Sequence, residues 1–156
     1  MNITLQLASL DDAPEIQTMQ VRAFAPLLAK YQDHDTSPAN ESVEGIERRI
    51  NQPQTDYYRI LDGGKAVGAI RIVRGEPAHR ISPLFILPEY QGRGIAQQTF
   101  KLIERRYPEV RRWELATVRE ERGNCHLYEK VGYRLTGEPE VVNERMTMVF
   151  YEKVIE

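Results

Sequence analysis

Residues 87–96, Leu-Pro-Glu-Tyr-Gln-Gly-Arg-Gly-Ile-Ala, restrict what this chain can fold into more than any other segment. Before them lies 81–87, a β-prone apolar run. After them Ile95, Ala96, Thr99, Leu102, Ile103 and Arg106 recur at helical spacing until Pro108 stops the pattern. A strand therefore runs into a helix through small residues that let backbone approach a ligand closely. First-turn N–H groups of a helix have no internal partner and sit at the positive end of its dipole. Gln91, Gly92, Arg93, Gly94, Ile95 and Ala96 thus predict an anion site able to take a diphosphate, with Arg93 adding a cation. Two other glycine motifs do not fit. The nucleotide loop Gly-x-x-x-x-Gly-Lys-Ser/Thr is absent, and the dinucleotide fingerprint lacks its third glycine.

The remaining pattern places this turn inside a mixed sheet. Ile3, Leu5 and Leu7 alternate with polar residues and predict an opening strand with one buried face. Asp11, Asp12 and Pro14 open a helix whose face carries Ile16, Met19, Gln20, Ala23 and Leu27. A polar loop over 31–41 follows, and Val43, Ile46 and Ile50 mark a second, shorter helix closed by Pro53. Strands over 57–61 and 66–73 flank the hairpin turn Asp62-Gly63-Gly64-Lys65. Pro83, inside the third strand of this region, has no N–H for a ladder and predicts an edge, a bulge or a parting of neighbours. Beyond the glycine segment come a strand over 113–118, a short helix over 124–131 ending at Gly132, and strands over 133–136 and 146–153, the former extended by Val141-Val142. The order β-α-α-β-β-β-α-β-α-β-β is a mixed α/β sheet flanked by helices, not a strict doubly wound alternation.

At 156 residues, with 41% hydrophobic and 28% charged, the chain is expected to form one domain over 1–156 without staples. A formal net charge of -2 removes the broad cationic field that nucleic-acid or membrane binding needs, so neither partner is expected. The single cysteine, Cys125, excludes an intrachain disulfide. The N-terminus has no basic segment or long apolar stretch, which predicts a cytoplasmic protein. His34, His79 and His126 lack zinc-ligand spacing, so no metal is expected.

Gln91-Gly92-Arg93-Gly94-Ile95-Ala96 resembles the Gln/Arg-x-x-Gly-x-Gly/Ala signature of the GNAT superfamily of N-acetyltransferases. The preceding Leu84-Phe85-Ile86-Leu87-Pro88-Glu89-Tyr90 is similar to that family's fourth strand. Leu127-Tyr128-Glu129-Lys130-Val131-Gly132-Tyr133 resembles its tyrosine-bearing helix end. The resemblance implies a mostly antiparallel central sheet, acetyl-CoA as acyl donor and a primary amine, most simply on a small molecule, as acceptor. It implies that the pantetheine arm lies along Phe85, Ile86 and Leu87 like an added strand, where the fourth and fifth strands splay apart near Pro83. Tyr128 matches the tyrosine that many relatives use as general acid towards the leaving thiolate. Asn124, one turn earlier, is read either as a cofactor contact or as a helix N-cap.

No general base stands out, since Arg80 occupies the position where many relatives carry a glutamate, next to His79. Cys125 and His126 are neighbours in sequence, but adjacent helical residues point in different directions, so they are not a nucleophile pair by adjacency. For the acceptor, the loop over 31–41 carries Tyr31 with three carboxylates, Asp33, Asp35 and Glu41, which would attract an ammonium group; a plain solvated loop is the alternative. A non-catalytic acyl-CoA-binding module and an acetyltransferase for protein N-termini or lysines are the competing readings, and a homodimer stays open.

Overall fold

The computed structural model describes residues 1–156. The strands are β1 (Ile3–Leu7), β2 (Thr55–Asp62), β3 (Lys65–Val73), β4 (His79–Ile86), β5 (Arg112–Val118), β6 (Arg134–Asn143) and β7 (Met146–Val154). The helices are α1 (Ala13–Tyr31), α2 (Val43–Asn51), α3 (Ile95–Arg106) and α4 (Arg122–Lys130). All strands join one seven-stranded sheet in the order β1-β2-β3-β4-β5-β7-β6. Every pairing is antiparallel except β4 with β5. No helix is long and apolar enough to cross a membrane.

Strand alternation sends neighbouring residues to opposite faces, and each face has its own core. Tyr57, Ala69 and Phe85 join Ala13, Ile16 and Met19 of α1 and Ile46 of α2 on one face. Their neighbours Tyr58, Ile70 and Ile86 join Ile95, Phe100 and Ile103 of α3 and Tyr128 of α4 on the other. Gly68 of β3 lets the central strands approach closely, since a Cβ there would lie 2.2 Å from the Phe85 carbonyl oxygen.

The parallel β4–β5 pairing covers only His79↔Trp113, Arg80↔Glu114 and Ile81↔Leu115. Beyond Ile81 the two strands part, two residues before Pro83, and the β3–β4 register shifts between Ile70 and Ile72. Pro83 has no N–H to continue a ladder, and the gap opens where it stands. Buried Arg71 of β3 supports that point from the side, its guanidinium donating to the Ser82 carbonyl across 2.9 Å.

Several elements differ from the sequence expectations. Leu7 is 57% exposed although it continues the alternation of buried Ile3, at the end of a strand that forms a sheet edge. The helix α4 begins at Arg122 with Glu121 as its N-cap, so Asn124 lies in the first turn and is not the cap. The strand expected over 133–136 and extended by Val141-Val142 is β6, which begins at Arg134 and leaves Tyr133 outside it, with a register shift between Thr136 and Glu140 where the chain contains Gly137 and Pro139. Since β6 is the other sheet edge, Leu135 and Val141 are exposed.

Candidate functional site

The glycine turn stands at the C-terminal end of β4, where the sheet has opened. A short 3-10 turn, Pro88–Tyr90, leads from β4 into it. Gly92 and Gly94 both adopt positive φ, +76° and +82°, a region costly for any residue with a Cβ, and space within 4 Å of either is open. Gly94 is the N-cap of α3 and offers no side-chain cap, so the first-turn amides of Ile95, Ala96 and Gln97 are left for an external acceptor. Gln91 turns back on the strand, its side-chain amide donating to the Ile86 carbonyl across 2.9 Å.

A cleft of about 440 Å³ runs from this turn into the gap, lined by Leu84, Phe85 and Ile86 of β4, Gln91, Gly92, Gly94, Ile95 and Ala96, and Asn124, Leu127 and Tyr128 of α4. Two of the expected cofactor residues stand behind or beside it. Leu87 is buried in the α1-side core, and its N–H is used by the Val67 carbonyl. Arg93 is exposed and holds its guanidinium 5.4 Å from the centre of the Tyr90 ring, which also carries the Lys65 ammonium at 5.5 Å. Tyr90 itself lines the cleft, so the Lys65 ammonium is a cation beside one of the lining rings that local sequence reading did not find.

On the other side of Tyr128 lies a second cavity of about 330 Å³. Phe24, Leu27 and Tyr31 of α1, Asp33, residues 80–84 of β4 and residues 115–118 of β5 line it, together with Glu121 and Asn124 of α4 and Glu140, Val142, Met146 and Met148 of the β6–β7 hairpin. Phe24, Leu27, Leu84, Asn124 and Tyr128 line both cavities.

Tyr128 is 9% exposed and edge-packed on Phe100, at 5.9 Å between ring centres, with Tyr133 and Tyr151 close by. Burial pushes its phenol up to about 12, with the Thr117 side chain opposing the rise in part. The proton is therefore held throughout the neutral range. Packing and proton donation are compatible here, because the same burial that seats the ring keeps its hydroxyl protonated.

Of the four loop residues expected at the acceptor, Tyr31 and Asp33 line this cavity, whereas Asp35 and Glu41 do not. Asp35 is exposed, and Glu41 faces another groove, where it accepts from Arg49 and Gln20. Glu121 was not among the expected residues. It accepts hydrogen bonds from the Tyr31 hydroxyl and from Lys30 at 2.8 Å. Burial acts to raise its carboxyl, but these two donors outweigh it and hold the group below the usual carboxylate value. The signal available in sequence was spacing alone, since Asn124 and Tyr128 are four residues apart on one face of α4 and Glu121 precedes Asn124 by three.

The other reactive side chains are occupied by structural contacts. His79 packs edge-on against Tyr107 and Trp113, with its Nδ1 at 3.1 Å from the Gly75 carbonyl. The Cys125 sulfur approaches the carbonyls of Val118 and Arg119 at 3.8 Å, while His126 is exposed. No three His, Cys, Asp or Glu side chains are grouped to hold a metal ion.

The family model described as "Acetyltransferase (GNAT) domain" matches residues 27–155. No curated protein sequence matches the chain. Among solved structures, an acetyltransferase from Thermus thermophilus is similar with a TM-score of 0.79 at 17% identity, over 99% of this chain and 98% of that one. An acetyltransferase from Salmonella typhimurium that modifies the N-terminal serine of a ribosomal protein gives 0.78 at 16% identity, over 100% and 96%. The spermidine N-acetyltransferase of Vibrio cholerae, solved with CoA and spermine, gives 0.76 at 18% identity, over 98% and 95%. With a cleft built on the glycine turn and a family match covering most of its length, the chain belongs to the GNAT family of acetyltransferases, enzymes whose cosubstrate is acetyl-CoA.

Proposed function

We propose that the protein moves an acetyl group from acetyl-CoA to the primary amine of a small molecule by direct transfer in the gap between β4 and β5. The observation that carries this reading is the meeting of the two cavities at Tyr128. One cavity begins at a helix N-terminus suited to a diphosphate; the other is lined by apolar side chains and the carboxylates Asp33, Glu121 and Glu140. Acetyl-CoA supplies the acetyl group as a thioester. The nitrogen–carbon bond forms as the carbon–sulfur bond breaks, the acceptor nitrogen releases a proton to solvent, and the departing sulfur gains one.

The residues fit these demands. Gly92, Gly94, Ile95 and Ala96 would take the diphosphate on backbone amides, with Gln91 holding the turn against β4. Phe85 and Ile86 would run beside the pantetheine arm, with Leu87 buried behind them and Asn124 facing across. Tyr128 would donate to the sulfur. An ordinary thiol has a pKa of about 8.5, so complete transfer from a phenol near 12 is uphill. Tyr128 therefore acts as a hydrogen-bond donor while charge develops on sulfur, and the thiolate then takes its proton from solvent.

A small acceptor is favoured over a protein chain by the ties that restrain the second cavity's walls. The Asn143 side chain of the β6–β7 hairpin donates to the Tyr31 carbonyl at 2.9 Å, and the Tyr31 hydroxyl donates to Glu121, so three elements are tied together at its rim. Amine-dependent release of CoA thiol from acetyl-CoA, with the N-acetyl product identified by mass spectrometry, tests this reading. Acetylation confined to peptide N-termini or lysines, with none of a small-amine panel, would overturn it.

A further inference from the structure

The acceptor cavity contains a carboxylate that neither the local sequence pattern nor the family signature singles out. Glu121, the N-cap of α4, and Tyr128, within the helix, both line this cavity and stand seven residues apart, a rise of about 10 Å along the helix axis. Glu121 is held in place, not left free to rotate into solvent. The hydroxyl of Tyr31, itself only 3% exposed, and the Lys30 ammonium both donate to its Oε2, and no side chain donates to Oε1. Tyr31 is fixed in turn by Asn143, and the Arg145 guanidinium donates to the Lys30 carbonyl, so the hairpin clamps the end of α1 against α4. Asp33 and Glu140 line the same cavity, and Arg80 is the basic side chain facing them. Lys30 is 59% exposed, and such solvated ion pairs are weak, so the pair with Glu121 offers little resistance to an incoming cation.

We propose that Glu121 selects the acceptor, its Oε1 docking a second cationic group of an amine whose other nitrogen lies beside Tyr128. The geometry calls for a diamine or longer polyamine and disfavours a monoamine. Glu121 and Tyr128 lie about two helical turns apart along the chain, and Leu84, Leu115, Val142 and Met148, which line the same cavity, suit a methylene chain between two nitrogens. The reacting nitrogen must be neutral, whereas the distal one stays protonated and finds a carboxylate that its two donors keep ionised. Asp33 and Glu140 add negative potential, which offsets Arg80. Glu121 is thus a specificity residue that touches the distal end of the acceptor and none of the reacting atoms.

This inference rests on the small-amine reading above, and the following experiment separates the two. Initial rates of CoA thiol release from acetyl-CoA are measured with α,ω-diaminoalkanes of increasing length and with 1-aminoalkanes of matching length, for the wild type and Glu121→Gln. The isosteric amide leaves Lys30 and Tyr31 a carbonyl to donate to, so the fold is kept; acetyl-CoA affinity by calorimetry is the control and stays unchanged. The wild type is expected to prefer long diamines over monoamines in kcat/KM by about tenfold or more, with 1,2-diaminoethane too short to gain. Glu121→Gln is expected to remove most of that preference through KM, with kcat little altered. Tyr31→Phe, which frees the carboxylate without removing it, is expected to fall between the two. Turnover without diamine preference, or a preference that survives Glu121→Gln, overturns the proposal while leaving the small-amine reading intact. Absence of turnover with both series, in protein that binds acetyl-CoA, overturns the proposal, and absence with the wider small-amine panel as well overturns both.

Discussion

The Cα of Gly68 faces the Phe85 carbonyl so closely that a methyl group added to it would stand 2.2 Å from that oxygen and 3.1 Å from the Ile86 Cα. Both contacts are with backbone of β4, the strand that forms one wall of the cofactor cleft, so neither can be relieved by rotating a side chain. Gly68→Ala is expected to cost about 1–3 kcal/mol, as overpacking does, and to weaken acetyl-CoA binding because β4 must shift. Thermal unfolding and calorimetry check this; a wild-type Tm with wild-type affinity contradicts the account of how β3 sets the position of β4.

At the glycine turn two effects can be separated. Gly94→Ala must place a Cβ at a φ of +82°, which costs about 1–2 kcal/mol in folding and meets no neighbour. Gly94→Glu adds to this a negative charge where the diphosphate would sit, so acetyl-CoA affinity should become undetectable while the alanine variant still binds. Calorimetry on both folded variants decides the matter. Equal affinities for Ala and Glu would move the diphosphate away from the first turn of α3.

Removing the phenol of Tyr128 should leave cofactor affinity nearly intact and lower kcat by about 10²-fold, the usual scale for losing one hydrogen-bond donor to developing charge. The ring of a phenylalanine keeps the edge contacts with Phe100 and Tyr133, so Tyr128→Phe should fold normally. Single-turnover rates compare the chemical step directly. An unchanged rate would make Tyr128 a packing residue only.

Buried phenols also set a limit at high pH. Tyr128 is raised to about 12, and Tyr57, Tyr133 and Tyr151 are raised as well, burial being the main cause in each. An unfolded tyrosine ionises near pH 10, so above about that pH the unfolded chain has lost protons that the folded chain keeps. Stability is then fully present below about pH 10 and declines as pH rises towards the folded values, by on the order of 3 kcal/mol from Tyr128 alone. Denaturant midpoints taken between about pH 8 and pH 11 should fall only in the upper part of that range. A flat profile would contradict the burial of these hydroxyls.

The features that were legible in the sequence are those encoded by neighbours along the chain. Gly92 and Gly94 announce the turn, Ile95 to Ile103 announce the helix behind it, and Pro83 marks the place where β4 leaves β5. Features that depend on distant partners were not legible. Glu121 is held at the second cavity by Tyr31, ninety residues earlier. Glu41 looked like an acceptor carboxylate from its loop, but Arg49 and Gln20 draw it to the other side of α1. Arg93 sits within the signature, yet its guanidinium rests over Tyr90 outside the cleft lining. Leu7 keeps the alternation of a buried strand and is still exposed, because alternation specifies a face and not what covers it.

The central claim is that transfer takes place in the gap between β4 and β5, beside Tyr128, and a crystal structure of the protein with acetyl-CoA tests it most directly. The account predicts the diphosphate on the amides of Gly92, Gly94, Ile95 and Ala96, the pantetheine arm beside Phe85 and Ile86, and the thioester sulfur within about 3.5 Å of the Tyr128 hydroxyl. A diphosphate bound elsewhere, or an acetyl group pointing away from the cavity that Tyr31, Glu121 and Met148 line, would contradict it.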